Sequence, residues 1–178
     1  MAVDFIKHYK NIVPDFTCEM LTALFDESDQ LVHRHNQVQN FYELNINQTH
    51  PEIVSELVQC LLKALREYQW EFPTETKHFQ TPLSLEEFRV KRYNGGTGEK
   101  FSDHVDVGDL TSCKRYLAFL FYLNDDFEGG HTFFYPGTLI TPEKGSVIVF
   151  PPTWQYPHAG LPVDSGTKYI MSSYLNYV

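Results

Sequence analysis

A chain of 178 residues with 42% hydrophobic content can bury one core without needing disulfides or a second domain. Its 14 Lys and Arg against 23 Asp and Glu give a formal charge of −9 with no basic runs, which argues against a nucleic-acid backbone as partner and favours a neutral or basic one. Cys18, Cys60 and Cys113 are too few and too far apart for a disulfide framework or a thiolate metal site, and neither a leader-like apolar region near Met1–His8 nor a stretch of ~20 apolar residues is present, so a cytoplasmic protein with reduced thiols and no membrane partner is expected.

Helices come first along the chain. Pro14 and Asp15 precede Phe16, Met20, Leu21, Leu24 and Phe25, an apolar stripe at helical spacing with an initiating proline. Pro51 opens a second helix, in which Ile53, Val54, Leu57, Leu61, Leu65 and Tyr68 recur every three or four residues while Glu52, Glu56, Lys63 and Glu67 fall elsewhere. Both stripes are expected to face a core rather than a second copy, so a monomer is expected. Residues 72–82 have neither period and read as a loop. From about Leu85 the pattern becomes alternating and β-rich, which divides the single domain expected over 1–178 into a helical support, 1–84, and a β core, 85–178. Within that core, 95–103 reads as a glycine-rich loop, and it and 72–82 are candidate lids. Residues 116–123 and 131–135 read as strands joined through the turn-forming 124–130, a hairpin pattern. Residues 146–150 read as a buried strand, 161–166 as a turn and 168–175 as a return strand.

The chemistry concentrates in this β-rich half. His104 and Asp106 are separated by one residue, so on an extended strand both side chains leave the same face and can reach one cation. With His158 brought alongside from a distant strand, two imidazoles and a carboxylate make a set that suits non-haem Fe(II) and leaves positions open for exogenous ligands. Lys168 follows His158 by ten positions and opens the return strand, where its ammonium could pair with an acid. Plainer readings stand beside these. His-x-Asp arises by chance in a chain with 8 His and 23 acidic residues, Lys168 could be a solvated strand lysine, and Tyr93 and Tyr122 could be half-buried strand aromatics. His131 reads as a strand histidine, and His8, His33, His35, His50 and His78 as surface or structural.

Four blocks, taken in order, resemble the Fe(II)- and 2-oxoglutarate-dependent dioxygenases, and within them the prolyl 4-hydroxylase-like branch. They are Tyr93 to Asp106; Arg115 through Tyr122-Leu123-Asn124; Glu128-Gly129-Gly130-His131-Thr132-Phe133; and His158-Ala159-Gly160-Leu161-Pro162-Val163 with Gly166 and Lys168. The resemblance covers about residues 88 to 176. It implies a mainly β (α+β) fold, a double-stranded β-helix or jelly roll of two facing antiparallel sheets backed by the N-terminal helices. It also implies that His104, Asp106 and His158 hold Fe(II), that 2-oxoglutarate chelates the metal while Lys168 pairs with its distal carboxylate, and that Tyr93 and Tyr122 line the cosubstrate pocket. O2 would be the oxidant and ascorbate a helper. The implied reaction hydroxylates a prolyl residue in a peptide or protein, releasing succinate and CO2, with Arg115 and Tyr174 as candidate substrate contacts.

The chain departs from that pattern near the substrate side. Phe101 stands where peptide-hydroxylating relatives often have Tyr, and Tyr174 and Asn176 replace a Trp and a His. Two other readings therefore stay open: a hydroxylase of a free amino acid or other metabolite, and a non-catalytic metal-binding module, against which the retention of all three ligands with Lys168 argues.

Overall fold

A computed structural model of the chain describes residues 4–178; residues 1–3, part of the N-terminus read above as leaderless, lie outside them. The first half contains β1 (Lys7–Tyr9), α1 (Asp15–Glu27), β2 (Val32–His35), β3 (Gln39–Asn45), α2 (Ile46–Thr49), α3 (Val54–Glu71) and α4 (Pro73–Thr76). The second contains β4 (Ser84–Leu85), β5 (Arg89–Asn94), β6 (Lys100–His104), β7 (Arg115–Tyr122), β8 (Glu128–Gly129), β9 (Thr132–Phe134), β10 (Thr138–Ile140), β11 (Val147–Phe150), β12 (His158–Gly160), β13 (Val163–Ser165) and β14 (Thr167–Asn176).

Helices α1 and α3 lie where the apolar stripes place them. Pro14 sets the residue before α1 at φ −60° and ψ 148°, and Pro51 opens a 3-10 turn that feeds α3. Leu21 and Phe25 of α1 and Leu57, Leu61, Leu65 and Tyr68 of α3 are buried against one face of a sheet, where they meet Leu117, Phe119, Phe121, Val147, Val149 and Met171. Ala118, Tyr122, Ile148, Phe150 and Ile170 from the same strands point to the other face, into a second core shared with Phe41, Tyr93 and Phe134. Strands buried on both faces explain why 116–123 and 146–150 read as unbroken apolar runs rather than as alternation.

All strand pairs are antiparallel, in the order β1-β11-β7-β14-β5-β3-β6-β12-β9-β10, with β2 added to β3, β4 added to β14, and β13 pairing β8 separately. Strand β3 joins the two walls: Tyr42 to Asn45 pair with β5, whereas Gln39 and Asn40 pair with β6. The result is the jelly roll expected.

Three expectations need correction. Residues 1–84 are not solely helical, because β1, β2 and β3 come from them and β3 lies in the middle of the strand order. The polar composition of β2 and β3 conceals them: every residue of β2 is exposed, and β3 alternates around only two buried apolar side chains, Phe41 and Leu44. Second, β7 and β9 do not form a hairpin. Strand β7 pairs with β11 and β14, and β9 with β10 and β12. Gly129 and Gly130, at φ +75° and +62°, turn the chain away from β7 towards the opposite wall. Third, the presumed loops carry structure. Residues 100–104 are strand β6, 163–165 are β13, and residues 73–76 make one helical turn started by Pro73.

Candidate metal centre and its pocket

Register brings the two histidines together. Strand β12 pairs with β6 so that His158 lies directly opposite His104, and opposed residues in an antiparallel pair stand about 5 Å apart. Strand β6 ends at His104, so Asp106 sits in a bend just beyond it rather than on the extended strand expected, yet its carboxylate turns back to both rings. Asp106 Oδ1 lies 3.4 Å from His104 Nε2, and Oδ2 lies 3.8 Å from His158 Nε2. The three side chains are 12%, 7% and 7% exposed, and one donor atom from each falls within 4.8 Å of the others.

The backbone fixes which nitrogen faces the cluster. His104 Nδ1 donates to the Ser102 carbonyl at 2.7 Å and His158 Nδ1 to the Tyr156 carbonyl at 3.1 Å. A carbonyl can only accept, so in each neutral ring the proton is on Nδ1 and the lone pair on Nε2. Burial holds His158 below the usual imidazole range, against the charge of Asp106. Burial alone would raise the Asp106 carboxyl, but the His104 contact and the charges of His158, His104 and Lys91 outweigh it and hold the group at about 2. Both Nε2 atoms thus face the Asp106 carboxylate, and this donor set, N, N and O with an open side, suits Fe(II). Phe101 stacks on His104 at 3.6 Å between ring centroids, while Phe134 and Phe150 pack on His158 at 5.1 and 4.9 Å. These aromatic rings pack the two imidazoles in place.

Lys168 lies deeper in the barrel, opposite Tyr93 of β5. It is 2% exposed; its Nζ donates to the Gly130 carbonyl and sits 5.7 Å and 5.5 Å from the ring centroids of Tyr93 and Tyr122. It is not a solvated strand lysine. Burial pushes the ammonium down to about 7. Gly130 makes room for this lysine, since a Cβ there would lie 3.1 Å from Lys168 Cδ and 2.9 Å from the Phe127 ring, at a φ of +62°.

One cavity contains the triad, Lys168 and Tyr93, with Thr132, Ile170 and Tyr174 in its wall. Tyr122 does not line it directly; its hydroxyl bonds Thr132 Oγ1 at 2.6 Å, which does. Arg115 is also outside the inner cavity. It stacks on Tyr174 at 4.0 Å, donates to the Asp106 carbonyl at 3.0 Å, and makes a two-pronged pair with Glu86 at 2.7 and 2.8 Å. It therefore braces Asp106 and borders the outer groove of about 400 Å³, where Tyr174 is shared between groove and cavity. His131 precedes β9 rather than lying in it, and its Nδ1 is buried without a partner. Sequence reasoning missed Lys91, Ser172 and Glu86. Their only signal was parity with the inward-facing Tyr93 and Lys168 for the first two, and adjacency to β5 for the third.

The sequence pattern of the 2OG-Fe(II) oxygenase superfamily matches residues 88–176, half of the chain. The chain belongs to this superfamily. Among curated proteins, one from Acanthamoeba polyphaga mimivirus named "Putative prolyl 4-hydroxylase" is 39% identical over 120 residues, covering 56% of this chain and 48% of that protein, so the match spans about half its length. Among solved structures, the viral collagen prolyl hydroxylase of Paramecium Bursaria Chlorella virus-1, in a 2OG complex, superposes with a TM-score of 0.73 at 24% identity over 98% of this chain and 97% of that one. A Trichoplax adhaerens prolyl hydroxylase, solved with a hypoxia inducible factor peptide fragment, gives 0.77 at 15% identity over 98% and 84%. These structures share the fold of this 2OG-Fe(II) oxygenase. Among its described residues no helix is long and apolar enough to cross a membrane.

Proposed function

We propose that this chain is an Fe(II)- and 2-oxoglutarate-dependent dioxygenase that hydroxylates a prolyl residue in a peptide or protein, releasing succinate and CO2. The observation that carries this reading is the convergence of His104, His158 and Asp106 donor atoms within 4.8 Å on the wall of a cavity that the buried Lys168 also lines. Iron and cosubstrate, when bound, supply the oxidising chemistry; the protein's part is to hold, orient and shield. His104, Asp106 and His158 hold the metal. Lys168 receives the distal carboxylate of 2-oxoglutarate, which restores the charge that burial disfavours. Tyr93 and Tyr122 flank that ammonium, and Thr132, bonded to Tyr122, lines the same cavity. The prolyl target is supported by the names of the relatives and by a groove that opens from the metal cluster to solvent, bordered by Arg115 and Tyr174. Incubating the protein with Fe(II), ascorbate, 2-oxoglutarate and proline-containing peptides, followed by mass spectrometry, tests the reading. Gain of one oxygen atom on proline with matching succinate is expected; hydroxylation of free amino acids with all such peptides inert would replace peptide by metabolite.

A further inference from the structure

A second lysine in the barrel has no role in the chemistry above. Lys91 lies on β5 two residues before Tyr93 and opposite Ile170 of β14, and is 7% exposed. Its Nζ donates to Ser172 Oγ at 3.0 Å and lies 5.5 Å and 5.7 Å from the Phe41 and Phe101 ring centroids, the latter ring being the one stacked on His104. An ammonium has three donor hydrogens, and a single hydroxyl and two aromatic faces leave its hydrogen-bonding capacity unfilled. Lys91 lines both the inner cavity and the outer groove, so it stands at their junction.

The charges around it do not balance. Among the described residues no carboxylate lies within 4.0 Å of its Nζ. The nearby Glu43 is already shared by Arg34 and Arg89, at 2.9 and 3.3 Å, and Arg89 also holds Glu87 at 2.9 Å. Arg115 is matched by Glu86. Asp109 at the groove edge is exposed and bonded within its own loop by Thr111 and Ser112. With iron and 2-oxoglutarate in place, the charges of the metal and Lys168 are offset by Asp106 and the two carboxylates of the cosubstrate, which leaves Lys91 buried with no anion of its own. Uncompensated buried charge is costly, and a ligand anion is what relieves it.

We propose that Lys91 is a specificity-determining residue that binds a carboxylate of the substrate beside the iron, so that the preferred substrate is a proline carrying that acid either on itself, as a chain end, or on the next side chain. This rests on the oxygenase reading above and narrows its substrate class. Position favours substrate over cosubstrate. Along β14, Lys168 and Ser172 are four residues apart, roughly 13 Å, and the Ser172 end opens to the groove.

The test is isothermal titration into protein loaded with Mn(II) and 2-oxoglutarate, using three acetylated probes: Gly-Pro with a free carboxylate, Gly-Pro-Glu amide and Gly-Pro-Gln amide. At least one acid should bind about tenfold to a hundredfold more tightly than the Gln probe, the effect of one charge-assisted hydrogen bond. The stronger of the two acids identifies the source of the carboxylate. Lys91→Met should abolish the preference while leaving the affinity for 2-oxoglutarate within about twofold, and Ser172→Ala, which frees the ammonium, should weaken it. Equal affinity for acid and amide in the wild type, no binding by any probe, or a preference that survives Lys91→Met would overturn the proposal. So would a tenfold loss of 2-oxoglutarate affinity in Lys91→Met, which would assign the lysine to the cosubstrate. Failure of the wild-type protein to bind 2-oxoglutarate with Mn(II) would instead overturn the oxygenase reading.

Discussion

Replacing Lys168 with Met should make the ligand-free protein more stable and at the same time remove its response to 2-oxoglutarate. The ammonium is buried, and without an anionic partner burial lowers it from 10.5 to about 7. At roughly 1.4 kcal/mol per pH unit this is a penalty of about 5 kcal/mol on the folded state at low pH, and about 4 kcal/mol near pH 7. Met fills a similar volume, but the Gly130 carbonyl loses its donor, which returns roughly 1–2 kcal/mol. With the interior relaxing around the charge, a net gain of about 2–3 kcal/mol remains, or some 5–10 °C in Tm for a chain of this size. The sign follows from proton counts. Between pH 7 and 10.5 the unfolded lysine holds a proton that the folded one has lost, so wild-type stability rises with pH across that window and the advantage of the variant shrinks with it. Calorimetry of metal-free protein near neutral and alkaline pH, then with Mn(II) and 2-oxoglutarate, reads both effects. A variant that melts below wild type near pH 7, or that still gains stability from 2-oxoglutarate, would refute the reasoning.

Four further outcomes are expected. His104→Ala or His158→Ala should abolish Mn(II) binding in isothermal titration, and unchanged affinity in both would remove the triad from the account. Affinity for 2-oxoglutarate should fall by up to about tenfold per pH unit above pH 7, because binding requires Lys168 to take up a proton; a flat profile to pH 9 would place the cosubstrate elsewhere. Gly130→Ala should push Lys168 aside and weaken 2-oxoglutarate binding by about tenfold, at a stability cost of about 1–2 kcal/mol, both readable in one thermal titration. Arg115→Met should loosen Asp106 and weaken Mn(II) by about tenfold, far less than loss of a histidine; unchanged metal affinity would show that its bond to the Asp106 carbonyl positions nothing.

Strands β7, β11 and β14 and helices α1 and α3 were legible because their burial leaves a simple record: an apolar stripe on each helix, an unbroken run on strands buried on both faces. Strand β3 was not, since Gln39-Asn40-Phe41-Tyr42-Glu43 mixes polar and aromatic residues on a strand that changes partner midway. His104 and His158 were legible as a pair of motifs, but their juxtaposition depends on register, which no local pattern contains. Lys91 was hidden by the rule that charges face water. In Arg89-Val90-Lys91-Arg92-Tyr93 the apolar Val90 points to the helices, so Lys91 and Tyr93 share the opposite parity and point inward, into the cavity. Arg115 was read as a substrate contact because its motif position is visible in sequence, whereas its partner Glu86 becomes apparent only when β7 and the approach to β5 are side by side.

The central claim is that His104, Asp106 and His158 hold a metal on which 2-oxoglutarate is anchored with Lys168 at its far end. Anaerobic isothermal titration of 2-oxoglutarate into wild-type protein, with and without Mn(II), tests it most directly. The account predicts one molecule bound per chain only when the metal is present, with binding lost in both His158→Ala and Lys168→Met. Binding of equal strength without metal, or none with the metal loaded, would contradict it.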